Sequence, residues 1–269
     1  MTELRLTVGE IAFAVGVVST IDRALDIVGK QLGVREPERA KIALAASGQS
    51  LLARELASYD GRDVKLAPEL QSAAEIIAGA ASMLRCVRVT GKRTDQLLFH
   101  IAPTGVLAQR VEGLVIHRVA PLSGVAALVD RAAGLFGLAP VDQLPPPVRL
   151  PRDVVEDLAR MPAKVDVARE LTVRGMPEAM SHAFATDLAA PSWKGAVSLD
   201  HTPKNQPAHT QPALFLFSGT RRWQVATYES DATVLGEASH QRLGVAIKDV
   251  LRTVDSTTRK FDRAGELDG

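Results

Sequence analysis

Two segments, one near the middle of the chain and one near its end, carry apolar residues three and four positions apart. They are Leu122, Val125, Leu128, Val129, Ala132, Leu135 and Phe136 in the first, and Leu243, Ala246, Ile247, Val250, Leu251 and Val254 in the second. At 3.6 residues per turn these positions fall on one stripe, so both segments are expected to be amphipathic helices. Each stripe needs an apolar surface to cover, and short strand-like runs just upstream supply one. Before the first helix they are residues 83–89, 96–101, 106–111 and 114–119; before the second they are 193–199, 213–217, 221–229 and 233–237. Glycine-containing links, Ala102-Pro103-Thr104-Gly105 and Ser218-Gly219-Thr220, join the middle pair of each set and read as hairpin loops.

The same order of elements therefore occurs twice, and the start of each set repeats as well. Leu4-Arg5-Leu6-Thr7-Val8-Gly9-Glu10-Ile11 and Val148-Arg149-Leu150-Pro151-Arg152-Asp153-Val154-Val155 both read as a strand running into a helix, with Pro151 suited to a first helical turn. The expected fold class is α+β, with two quasi-symmetric halves, each an antiparallel sheet packed with helices. The first half, 1–139, carries extra helix, expected at 37–59 and 68–84. Pro140 to Pro147 is a proline-rich linker, 148–254 the second half, and 255–269 a polar tail.

Composition narrows the function. Lysine plus arginine number 32 against 31 aspartate plus glutamate, so no global basic field gathers nucleic acid or anionic lipid. Cys86 is the one cysteine, which excludes an intramolecular disulfide and a cysteine-rich metal site and fits a reducing compartment. The apolar run from Ile11 to Val18 is too short to span a bilayer and is flanked by Glu3 and Glu10, so it is expected to be a core element of a cytoplasmic protein.

The usual catalytic patterns are missing. Gly29-Lys30-Gln31 and Gly91-Lys92-Arg93 lack the glycine and hydroxyl residues of a phosphate loop, and there is no nucleophile elbow, zinc-protease helix or dinucleotide fingerprint. His201 and His209 bracket a polar loop with no thiol or carboxylate beside them, a poor metal cage, while His100 and His117 fall in expected strands. Short basic clusters, Lys92-Arg93 and Arg221-Arg222 beside Trp223, read as solvated turn charges in a chain only 4% aromatic. The expectation is a protein that is not an enzyme and uses no cofactor and no metal.

Strand alternation points to protein binding instead. Trp223, Val225 and Thr227 share one face of their strand, Gln224, Ala226 and Tyr228 the other, and Phe215 with Phe217 lie opposite Leu214 with Leu216. Both faces thus carry large apolar groups, and one helix covers one face. Phe215, Trp223, Val225 and Thr227 are the candidate partner-binding residues.

Several segments resemble the EspG family, cytosolic chaperones of mycobacterial and related ESX (type VII) secretion systems. They are Leu6-Thr7-Val8-Gly9-Glu10-Ile11, Pro37-Glu38-Arg39-Ala40, Leu51-Leu52-Ala53-Arg54-Glu55-Leu56, Leu66-Ala67-Pro68-Glu69-Leu70, the strand Leu84 to Val89, and Arg222-Trp223-Gln224-Val225-Ala226-Thr227 with its following helix. The resemblance implies a quasi-two-fold α+β fold that binds the helical tip of a PPE-type substrate within a PE–PPE heterodimer and keeps it soluble for export. It implies a PE–PPE-type partner, no nucleic acid and no membrane, and a monomer or weak homodimer. The long polar loop from Asp200 to Gln211 is a departure from the family's layout. Two other readings stay open at this level: a small-molecule-binding protein or enzyme with its site between the halves, and a homo-oligomeric scaffold.

Overall fold

The computed structural model describes residues 3–34, 36–112, 116–151, 164–201, 209–227 and 232–252. The chain forms two compact units, one from Met1–Met83 with Leu97–Gly124, the other from Leu84–Gln96 with Val125–Asp255.

In the first unit, β1 (Leu4–Thr7) runs straight into α1 (Val8–Val18). The switch is written in Thr7 and Glu10. The Glu10 backbone amide donates to Thr7 Oγ1 at 3.1 Å and the Thr7 amide donates to Glu10 Oε2 at 2.8 Å, a capping box that satisfies two otherwise orphaned donors. Glu10 is only 1% exposed, and its other oxygen accepts from Ser50 Oγ and Arg54 Nη1, both at 2.8 Å. Burial pushes its carboxyl pKa up, but the Thr7 amide, the Ser50 hydroxyl and the Arg54 guanidinium outweigh that and hold it below its ordinary value.

Two further helices follow, α2 (Ile21–Leu32), capped by Thr20 and ended by Gly33 at φ 67°, and α3 (Pro37–Ala53). The helix expected over 37–59 stops at Ala53. Glu55 turns left-handed at φ 57°, the Leu56 amide closes back on Leu51 O, and the chain continues as a hairpin, β2 (Ala57–Asp60) and β3 (Asp63–Leu66), that turns at Gly61. Pro68 then opens α4 (Pro68–Gly79), which ends five residues before the expected limit of 84 because β4 (Ser82–Thr90) has begun.

The strands of this unit are β5 (Arg93–Ala102, from Leu97 onward), β6 (Gly105–Glu112) and β7 (Ile116–Leu122). β1 lies antiparallel to β7, with Leu4 opposite Val119, and β7 antiparallel to β6. Leu6, Ala102, Leu107 and Val119 on one sheet face meet Ile11, Leu51, Leu70 and Ile77 from the helices to form the core.

The second unit holds β4, β8 (Val148–Pro151), β9 (Trp193–His201), β10 (His209–Ser218), β11 (Arg222–Thr227) and β12 (Ala232–Glu237), in the order β4-β9-β10-β11-β12-β8. Its helices are α5 (Val125–Phe136), α6 (Lys164–Val173), α7 (Glu178–Ala189) and α8 (His240–Arg252). The expected duplication is present in the pairing itself. In each half the opening strand lies antiparallel against the last of four consecutive strands, β1 on β7 and β8 on β12.

The helix ending the first half was expected to cover the sheet that precedes it. α5 belongs to the second unit, where its Val129 meets Gly244 of α8 and its Phe136 stacks on Trp193 at 5.9 Å. The packing units divide the chain differently from the boundary expected at 140–147. That proline-rich segment is tied down, since Pro145 O accepts from Arg242 and the Val141 amide donates to Gln241 Oε1. The start of the helix expected after Pro151, the centre of the long polar loop and the polar tail lie outside the described residues.

Candidate partner-binding surface

The strands of the second unit are covered unequally. On one face, α6 and α7 bring Val167, Leu171, Met180 and Phe184 down onto Leu150, Leu235, Val225, Trp223 and Phe217, which belong to β8, β12, β11 and the near edge of β10. On the opposite face lies α8, whose Arg242 carbonyl accepts from Gln224 Nε2 at 3.3 Å. The α6–α7 pair does not extend over the far side of its own face. There Phe215 of β10 stands opposite Ala196 of β9 and is 55% exposed, Lys194 is exposed, and Ala196 and Ser198 are half-buried. Arg85 of β4 donates to Asp200 at 3.0 Å, which puts Arg85, Val87 and the exposed Val89 on this same face by alternation.

Where the covered and open parts meet is an apolar groove of about 250 Å³. Phe184 and Leu188 of α7 with Pro191 beyond it form one wall and Phe215, Phe217 and Val225 the sheet wall; among the described residues Lys194 is the one charged residue lining it. The α7 wall is held by Asp187. This carboxylate, 2% exposed, accepts from the backbone amides of Thr220 (2.7 Å) and Arg221 (3.0 Å), from Thr220 Oγ1 (3.1 Å) and from Trp223 Nε1 (2.8 Å). Burial pushes its pKa up, but these donors outweigh the penalty and hold it below the usual aspartate value. The β10–β11 turn fits the carboxylate closely, since a Cβ on Gly219 would come within 2.1 Å of Asp187 Oδ1.

The four candidate residues fare differently. Phe215 is at the surface, and Val225 sits at the groove wall with 9% exposure. Trp223 is 0% exposed, packed edge-on against Phe184 at 5.2 Å with its indole N–H committed to Asp187, so reaching it requires displacing α7. Thr227 closes β11 opposite Thr233, and its side chain lies outside the described residues. Phe184 and Leu188 escaped the sequence reading, although Met180, Phe184 and Leu188 recur every four residues, a readable stripe.

Other chemistry is sparse. Cys86 is fully buried and burial pushes its thiol far above the ordinary value, so it behaves as a small apolar side chain. Among the described residues no group of three or more histidine, cysteine, aspartate or glutamate side chains is placed to hold a metal ion, and no helix is long and apolar enough to cross a membrane.

Compared by sequence, the chain matches no family model and no curated protein. Compared by structure, it is similar to the type VII secretion system chaperone EspG5 of Mycobacterium tuberculosis, solved in complex with a PE25–PPE41 dimer. The TM-score is 0.61 and the identity 14%, over 93% of this chain and 96% of that one. The α+β fold expected from the sequence is thus the one observed, an EspG-like fold.

Proposed function

We propose that this chain is a cytoplasmic chaperone of a type VII secretion system, without catalytic chemistry of its own, that holds PE–PPE-type substrates soluble for export. It binds the helical tip of the PPE-type subunit and acts as a monomer or weak homodimer. The observation that carries the reading is a fold likeness spanning 93% of this chain and 96% of a chaperone whose structure contains a PE–PPE dimer. The open strip around Phe215 supports it, because a protein that shields another's apolar tip needs apolar surface of its own.

The groove beside Phe215 suits one large apolar side chain from a helical tip, and the neighbouring Lys194 suits the negative end of a helix or a nearby carboxylate. Re-burying a half-exposed phenylalanine is worth on the order of 1–2 kcal/mol, so Phe215 is one anchor among several. Hiding such surface needs no nucleotide. Co-expression with PE–PPE pairs of the source organism tests the reading: a ternary complex that co-elutes in size-exclusion chromatography is expected. Soluble pairs that all elute separately from this chain would overturn it.

A further inference from the structure

Unit one carries a polar chain inside its sheet that the proposed function does not use. His100 on β5, Gln109 on β6 and His117 on β7 lie on adjacent strands, and the two rings share one side-chain amide. His100 Nε2 is 2.6 Å from Gln109 Oε1, and Gln109 Nε2 is 2.6 Å from His117 Nδ1. Gln109 is 1% exposed and His117 5%, while His100 keeps a partly exposed edge. They share their sheet face with Leu6, Ala102, Leu107 and Val119, the face that α1 and α4 cover.

Among the described residues, no charged side chain beyond the two rings acts on them. Arg5, Arg110 and Arg118 alternate to the opposite face of β1, β6 and β7; Glu10 of α1 is committed to Thr7, Ser50 and Arg54; Glu69 and Glu75 of α4 are exposed; and Asp95 of β5 is held by Arg88 and Arg93. The charge that acts on His100 is His117 itself, and burial lowers the pKa of both rings.

An amide has one donating end and one accepting end. Whichever way Gln109 is turned, one ring nitrogen donates to it and the other must accept from it, which only a neutral imidazole can do. Both bonds therefore survive with no proton or one added to the pair. A second proton sets two N–H groups against one another in a buried site, with two like charges nearby.

We propose that His100, Gln109 and His117 form a proton-counting latch across β5, β6 and β7, closed while at least one ring is neutral and opened by the second proton. Opening loosens the strands of unit one that carry the core. The sign follows from the direction of the shifts: stability is full above the unfolded histidine value of about 6.5 and is lost as pH falls through the lower folded values. Glu10, Asp95 and Asp187 are lowered carboxylates and lose their contributions only in a more acidic window.

The test is urea unfolding of the full chain from pH 7.5 to 5. The wild type is expected to lose stability, its folding constant falling toward tenfold per pH unit below about 6.5. Gln109→Glu replaces the amide by a carboxylate that accepts from both rings, so the slope should reverse and stability rise as pH falls over that range. A merely structural glutamine would give a weaker protein with the wild-type slope, and that result overturns the latch. Should the variant not fold, ring titration of the wild type by NMR decides: His100 and His117 must titrate below the ordinary histidine value of about 6.5, and ordinary, independent titration of both rings overturns the proposal.

Discussion

The two halves share a strand order but not a covering. In the first unit α1 and α4 close over the sheet face that carries Leu6, Leu107 and Val119. In the second, α6 and α7 close over β8, β12 and β11 and stop short of β9, leaving Phe215 and Lys194 exposed at the end of an apolar groove. Pairing of an opening strand on the last of four is repeated; the helices are what differ. Duplication of a sheet fixes which strands are neighbours, whereas the length and placement of the inserted helices decide where apolar surface remains for a partner. Removing side chains on either side of the α7 boundary separates the two roles.

The largest effect is expected inside the covered part. Trp223→Ala deletes a fully buried indole that Phe184 packs against edge-on and strips Asp187 of one donor. Loss of about 3–5 kcal/mol is expected, read as a shift in the urea midpoint. An unchanged midpoint would mean that α7 does not seal this face.

Asp187→Ala comes next. Four neutral donors, the Thr220 and Arg221 amides, the Thr220 hydroxyl and the Trp223 indole, lose their acceptor together, and about 2–3 kcal/mol is expected. Because the folded pKa is depressed, the contribution of Asp187 is present above the unfolded aspartate value and disappears as pH falls through the folded one. The acid limb of a wild-type stability profile should therefore be shallower in the variant. Glu10 shows the other solution to a buried carboxylate. It draws on a cation, Arg54, as well as on neutral donors, so Arg54→Ala should cost the first unit stability while Arg221→Ala, whose backbone amide remains, leaves the Asp187 site intact.

The comparison also shows how far the residues alone reach. Alternation and glycine loops located the strands, because each run of β-branched and aromatic residues states its own period. The α5 and α8 stripes were readable for the same reason, as was the Thr7–Glu10 capping box within the strand-to-helix start. The hairpin at 57–66 follows directly on a run of good helix formers, and the break depends on a non-glycine residue, Glu55, adopting a left-handed turn, although the Asp60-Gly61 pair at its tip is a readable turn signal. Alternation placed Phe215 and Trp223 on one face, as the register of β10 with β11 shows. It could not separate the exposed ring from the buried one. That difference is made by Phe184 and Leu188, about thirty residues earlier in the chain, and no local pattern in the strands reports which part of their face a distant helix covers.

The smallest effect on stability and the most telling for function belongs to Phe215. Its ring is 55% exposed, so Phe215→Ala removes little buried contact and should shift the urea midpoint by less than about 1 kcal/mol. If the open strip is where a PE–PPE-type partner sits, the same substitution removes about 1–2 kcal/mol of association, roughly five- to thirtyfold in Kd by titration calorimetry. Lys194→Glu, at the mouth of the same groove, should leave the fold equally stable and weaken association further as ionic strength is lowered, since repulsion from an acidic partner is then less screened. Two stable variants that bind as tightly as the wild type would move the partner to another face. Two that are unstable would show that Phe215 belongs to the same sealed core as Trp223, and the contrast between covered and open sheet would disappear.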